Sequence, residues 1–158
     1  YSLSQDLKVS VKEAKNYIQS YFEKYPLVKN YLDKTIEKAR QDGFVHTLFG
    51  RKRYISEITS SNFNLRSFGE RVAMNTPIQG TSADIIKIAM VNIHRELKKR
   101  ALKSHLILQV HDELIIQTHK DEVNEVEKLL CECMENACKL LVNLKVSVKS
   151  AKSWYDAH

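Results

Sequence analysis

Apolar residues recur at steps of three and four over most of the chain, the period of helices with one buried face. Val11, Ala14, Ile18 and Tyr21 form one such stripe, and Ser10-Val11-Lys12-Glu13 at its head reads as a capping box. Pro26 suits the first turn of a second helix carrying Val28, Leu32, Thr35 and Ala39, with Gly43 as its stop. The period then shortens. Phe44 to Ile55 alternates around Phe49-Gly50 and predicts a basic hairpin. A polar loop, TSSNFN, leads into a helix expected from near Asn64 toward Met74. Asn75-Thr76-Pro77 predicts its interruption, because proline disfavours helical geometry in the residue before it. Helical spacing resumes beyond Gly80, with Ile86, Met90, Ile93 and Leu97 on one face. His105 to Val110 and Leu114 to Thr118 are β-rich runs separated by His111-Asp112-Glu113. A last helix is expected over Asp121 to Leu141 and a final strand over Leu144 to Val148. The expected class is α+β: mostly helices, packed with a small antiparallel sheet.

Composition narrows the reading. A length of 158 residues makes one ordinary domain or a compact piece of something larger. With 43% hydrophobic and 28% charged residues, wholesale disorder is excluded. Four Gly and two Pro argue against collagen, low complexity and a turn-dense sandwich. No apolar run approaches the roughly 20 residues of a membrane helix. The first residues read as a polar helical mixture without a signal peptide, and Tyr1 in place of Met predicts a start inside a longer protein. Three cysteines, Cys131, Cys133 and Cys138, predict free thiols in a reducing cytoplasm. The net charge of +6 raises the odds of a polyanionic partner. Between Phe44 and Gly80 the bases Arg51, Lys52, Arg53, Arg66 and Arg71 outnumber Glu57 and Glu70.

Two segments could carry chemistry. In LILQVHDELIIQT two apolar strands flank three polar residues, and His and Asp visit left-handed backbone easily, which predicts a tight turn. A carboxylate thrust from such a tip suits Mg²⁺, which takes a few hard oxygens and keeps waters and substrate phosphates as its other ligands. Asp112 and Glu113 point to opposite faces of a regular strand, so both reach one ion only if the turn re-aims them. The bland alternative is a plain turn at Asp112 with Glu113 solvated. In RSFGERVAMNTPIQGTSADIIK, Arg71, Asn75 and Gln79 step by four and carry the donors that meet phosphates and minor-groove acceptors. A solvated polar face kinked at Pro77 is the competing reading, and Gly80-Thr81-Ser82-Ala83-Asp84 equally fits a helix start.

Other candidates are weaker. The cysteines lie on different sides of their helix, which speaks against zinc. His46, His94, His105, His119 and His158 form no ligand pattern, and Tyr17, Tyr21, Phe22, Tyr25 and Tyr31 are expected to pack in the core. Neither GxxxxGK[ST] nor GxGxxG occurs.

The run from Arg71 through Asn75-Thr-Pro-Ile-Gln79-Gly to Asp84, followed by Gln109-Val-His111-Asp112-Glu113, resembles family A DNA polymerases of the bacterial DNA polymerase I type. The resemblance covers essentially the whole chain: Tyr1-Ser2-Leu3-Ser4 is similar to the end of the fingers helix, GFVHTLFGRKRYI to the Gly-Arg-Arg segment, and Trp154-Tyr-Asp-Ala-His158 to the usual carboxyl terminus. It implies a fragment of a right-hand polymerase domain, with fingers helices and the basic hairpin over about 1–63 and a helix leading into the palm sheet and carboxyl-terminal helix over about 64–158.

It also implies roles. Asp112 would be one of two aspartates holding two catalytic Mg²⁺ ions, with Glu113 beside it as a weaker contributor. His111 would lie near the primer terminus, and Arg71, Asn75 and Gln79 would contact the minor-groove side and backbone of the primer–template. Arg66 would touch the template backbone, and Tyr1 would stack near the templating position. The implied activity is template-directed transfer of nucleotides from dNTPs to a primer 3′-hydroxyl in replication and repair, in a cytoplasmic, nucleoid-associated enzyme.

Ser2 stands where the family usually has Gly, and the triphosphate-binding Arg and Lys and the first catalytic aspartate do not occur. The isolated chain is therefore expected to be inactive without the upstream part of the same polymerase. Competing readings are a phage-type single-subunit RNA polymerase relative, a non-catalytic nucleic-acid-binding module, and an α+β interaction domain with a solvated basic hairpin.

Overall fold

The computed structural model describes residues 2–157. A short helix α1 (Ser2–Asp6) gives way to a turn at Lys8, whose φ of 54° is left-handed. Helix α2 (Val11–Lys24) opens with the expected capping box: Ser10 Oγ accepts from the Glu13 N–H at 3.2 Å, and the Glu13 carboxylate accepts from the Ser10 N–H at 2.9 Å. Helix α3 (Pro26–Asp42) starts on its proline and ends at Gly43, whose φ of 76° lets its N–H reach the Ala39 carbonyl at 2.9 Å. The hairpin follows, with β1 (Phe44–His46) antiparallel to β2 (Lys52–Tyr54) and Val45 opposite Arg53. A 3-10 turn (Ser56–Thr59) precedes α4 (Phe63–Lys99), at whose head Asn62 Oδ1 accepts from the Asn64 and Leu65 N–H groups. Then come β3 (His105–Val110), its antiparallel partner β4 (Glu113–Gln117), α5 (Val123–Glu135) and a terminal turn of helix, α6 (Trp154–Ala157). The class is α+β as expected, with its strands in two separate two-stranded ladders.

Backbone contacts divide the chain into two compact units. One runs to His46 and resumes over Gly50–Pro77; the other comprises Thr47–Phe49 and the residues from Ile78 on. The first unit buries Ala39, Val45, Ile55, Ile58 and Ala73 together, with Val72 against them. Gly69 of α4 lies so close to the 3-10 turn that a β-carbon there would stand 2.8 Å from the Ile58 nitrogen. The second unit buries Ile93 and Leu97 of α4 with Val126, Leu129 and Leu130 of α5, and β4 adds Leu114 and Ile116. At its surface Arg100 is ringed by Glu96, Glu125 and Glu132 at 3.3, 3.6 and 3.4 Å.

Four expectations are corrected. Helix α4 is continuous through Pro77, so Gly80–Asp84 is helix interior, not a start. Proline biases its predecessor against helical geometry without barring it, and forgoes one hydrogen bond at about 3 kcal/mol. Burying Ile86, Ile93 and Leu97 is worth about 1.5–3 kcal/mol each and offsets that cost. Helix α5 stops at Glu135, well short of Leu141. Asn136 caps it by donating Nδ2–H to the Glu132 carbonyl at 2.8 Å, a local bond that competes with helix continuation. Residues 144–148 form no strand, although their exposure alternates with period two and Val148 reaches the second core. The Val146 N–H is taken by the Glu135 carboxylate at 3.2 Å instead of by a ladder. Finally, Tyr17, Tyr21, Tyr25 and Tyr31 are half-exposed rather than core. Tyr21 packs on Phe22 and Tyr25 with ring centroids 5.5 and 5.0 Å apart, so part of the stripe packs on itself at the surface.

Candidate nucleic-acid interface and metal centre

The β3–β4 hairpin is closed by two residues, since Val110 pairs with Glu113. His111 supplies the turn with a φ of 50°, and Gln109 Nε2–H donates to the His111 carbonyl at 2.7 Å, bracing the tip. Asp112 is therefore presented to solvent at the apex of a short hairpin. Glu113 is the first residue of β4, also exposed, and belongs to the ladder rather than the tip. The register shift between Leu106 and Leu108 bends β3, while Leu114 and Ile116 fix β4 against α4 and α5.

The base of the hairpin is clasped by a residue that the sequence did not mark. Glu122, at the N-terminus of α5, accepts from the Lys103 and Ser104 N–H groups at 2.9 and 3.0 Å and from the Ser104 hydroxyl at 2.6 Å. Ser104 Oγ in turn accepts from the His119 N–H at 3.0 Å, so both strands are tied to α5. The Lys103 N–H, then the Ser104 hydroxyl, hold the Glu122 carboxyl below its usual range.

On α4, Arg71 and Asn75 are exposed one turn apart in the first unit, and Gln79 is exposed where the same helix enters the second. An Arg71 guanidinium nitrogen donates to Ser67 Oγ at 3.2 Å, which holds the side chain along the helix. Arg66 is committed differently: one guanidinium nitrogen donates to the Ser60 carbonyl at 2.9 Å and lies 3.4 Å from that of Ser61, bracing the loop before α4. Sequence reasoning grouped Arg53 with the basic run but not with this helix. Its guanidinium reaches Thr76 Oγ1 at 3.5 Å, beside Asn75, a proximity that only the Val45–Arg53 register reveals. Tyr1 and His158 lie outside the described residues.

Asp112 and Glu113 offer only hard oxygens, the donor type that suits Mg²⁺, and among the described residues no group of three or more His, Cys, Asp or Glu is placed to hold a metal. An ion at the tip would thus take part of its shell from Asp112 and the rest from other ligands.

The sequence profile described as DNA polymerase family A matches residues 1–156. The chain belongs to this family. It is 53% identical over 156 residues to DNA polymerase I of Caldicellulosiruptor bescii and 53% identical over 157 residues to that of Bacillus subtilis. Each match covers 99% of this chain and 18% of the relative, so the chain spans less than a fifth of the curated relatives' length. A solved structure, the POL domain of Pol1 from M. smegmatis in complex with DNA primer-template and dNTP, superposes with a TM-score of 0.94 at 45% identity, covering 99% of this chain and 28% of that one. Family A polymerases are metal-dependent nucleotidyltransferases. In this family A chain, no described helix is long and apolar enough to cross a membrane.

Proposed function

We propose that this chain is the part of a DNA-directed DNA polymerase that presents one metal-binding carboxylate and a duplex-reading helix face. The observation that carries the reading is Asp112, exposed at the apex of a braced two-residue hairpin in a family A chain. In the complete enzyme a primer 3′-oxygen attacks the α-phosphorus of a dNTP, and pyrophosphate leaves. Asp112 would hold Mg²⁺ together with a carboxylate supplied elsewhere in the polymerase, and Glu113 would stand beside it on the ladder. When bound, Mg²⁺ neutralises the charge that develops on the phosphate oxygens.

The chain's own residues bind and orient. The His111 imidazole would lie near the primer terminus. Arg71, Asn75 and Gln79 would meet minor-groove acceptors, which sit alike in every correct base pair and so report pair geometry without reading sequence. Arg66 would reach a template phosphate with the N–H groups that its loop carbonyls leave over, and Tyr1 would stack near the templating base. Residues 1–63 would belong to the fingers and 64–158 would lead into the palm, with primer–template DNA and dNTPs as partners. Catalysis of this kind rests mainly on positioning and electrostatics, so losing one ligand is costly.

Primer extension by the full-length polymerase carrying Asp112→Ala tests the proposal. Extension should fall at least about a hundredfold, with primer–template affinity close to that of the parent. Extension within a few-fold of the parent would remove Asp112 from the metal site.

A further inference from the structure

The solvent face of the β1–β2 hairpin is absorbed by none of these roles. The register pairs Phe44 with Tyr54 and His46 with Lys52, so these four side chains share one face, while Val45 is buried and shares the other with Arg53. On the open face the Phe44 and Tyr54 rings meet edge to face at 5.7 Å, and Lys52 Nζ stands 4.3 Å over the Phe44 ring. Tyr54 is 75% exposed, although its body is apolar. Arg51, Lys52 and Arg53 are consecutive, and no carboxylate occurs from Gly43 to Ser56. The contact of Arg53 with Thr76 joins the strand to α4 next to Asn75.

A cation over the half-buried Phe44 ring beside the exposed Tyr54 ring, in an uninterrupted basic segment, has the chemistry of a single-strand platform: phosphates meet the cations and a base stacks on an aromatic face. A duplex hides its base faces and would leave Tyr54 without a role. We infer that this face binds a single-stranded stretch of nucleic acid, with Tyr54 stacking on a base and Lys52 meeting a phosphate. The inference rests on the polymerase reading and extends its DNA contacts from α4 onto the hairpin.

The test compares Tyr54→Ala, Lys52→Ala and Tyr54→Phe in the full-length polymerase, on a primed template with a single-stranded 5′ overhang and on a blunt duplex of the same length. Tyr54→Ala should weaken overhang binding about tenfold and blunt binding little, and Tyr54→Phe should restore it. Lys52→Ala should flatten the salt dependence of overhang binding by about 0.7 in log–log slope. Equal losses on both substrates would assign the face to duplex; no loss on either, with melting temperatures unchanged, would overturn the platform. A variant that melts early is judged by Tyr54→Phe, which keeps the ring: failure to restore overhang binding in a folded Tyr54→Phe counts against stacking. Asp112→Ala, run alongside, separates this inference from its premise. A parent that extends no primer would end the polymerase reading, and a normally extending Asp112→Ala would remove only Asp112 from the metal site, whereas an active parent and a dead Asp112→Ala beside unaffected hairpin variants sink the platform alone.

Discussion

Gly69 is fixed by its neighbour, not by its backbone angles. The three closest atoms to a β-carbon there are main-chain atoms of Ile58 and Glu57 at 2.8 to 3.0 Å, and main chain cannot swing aside as a side-chain tip can. Gly69→Ala gains up to about 1 kcal/mol of helix propensity but forces the 3-10 turn off α4, at about 1–3 kcal/mol. The second effect is expected to win, leaving a net loss of up to about 2 kcal/mol in chemical denaturation; a stabilised variant would show that the turn yields freely. Nothing in the sequence marks Gly69, because its constraint comes from residues eleven and twelve positions away whose approach depends on tertiary packing. Ser10 and Glu13, by contrast, were legible because both partners of the cap lie within one turn. Asp112 stands between these cases. Its hairpin could be read from two flanking β-rich runs, but the residue left at the tip depended on the register, which put Glu113 into the ladder.

The elements were legible where their ends are set locally and missed where longer-range contacts decide. Pro26 and Gly43 bounded α3 correctly, whereas packing in both units carried α4 past Pro77. The stretch 144–148 has a strand's alternation, yet alternation states which side is buried and not whether a ladder partner exists. The Glu122 clasp is a similar long-range feature, and it gives the second unit a pH dependence. Its folded carboxyl titrates below the ordinary value of 4.5, first through the Lys103 N–H and then through the Ser104 hydroxyl. It therefore holds protons less readily folded than unfolded, so its contribution is complete above about pH 4.5 and fades as pH falls through the depressed folded value. Glu122→Gln should melt earlier than the parent at pH 7, and the gap should close on acidification to pH 3. A gap that stays constant or widens with acid would mean that the carboxylate is not the clasp. Cys133, in the same unit, has its thiol pushed up by burial and then by Glu96, and is expected to react slowly with thiolate-selective reagents.

At the scale of the whole chain, helical periodicity located the apolar stripes but not what covers them. Leu27 is 81% exposed, and Tyr17, Tyr21, Tyr25 and Tyr31 line the same pair of helices half-exposed. The isolated 158-residue chain should accordingly bind a hydrophobic dye and associate as concentration rises; a dye-silent monomer would contradict that exposure. The central claim divides labour within the polymerase: the hairpin tip serves the chemistry and the α4 face holds the duplex. Single-turnover incorporation by the full-length enzyme, titrated with primer–template, tests it most directly with Asp112→Asn and Arg71→Ala side by side. Asp112→Asn should lose at least about a hundredfold in the rate at saturating DNA while keeping the parent's Kd. Arg71→Ala should weaken Kd and flatten its salt dependence by about 0.9 in log–log slope if the contact is to a phosphate. Two variants that fail in the same way, both in rate or both in affinity, would contradict the division.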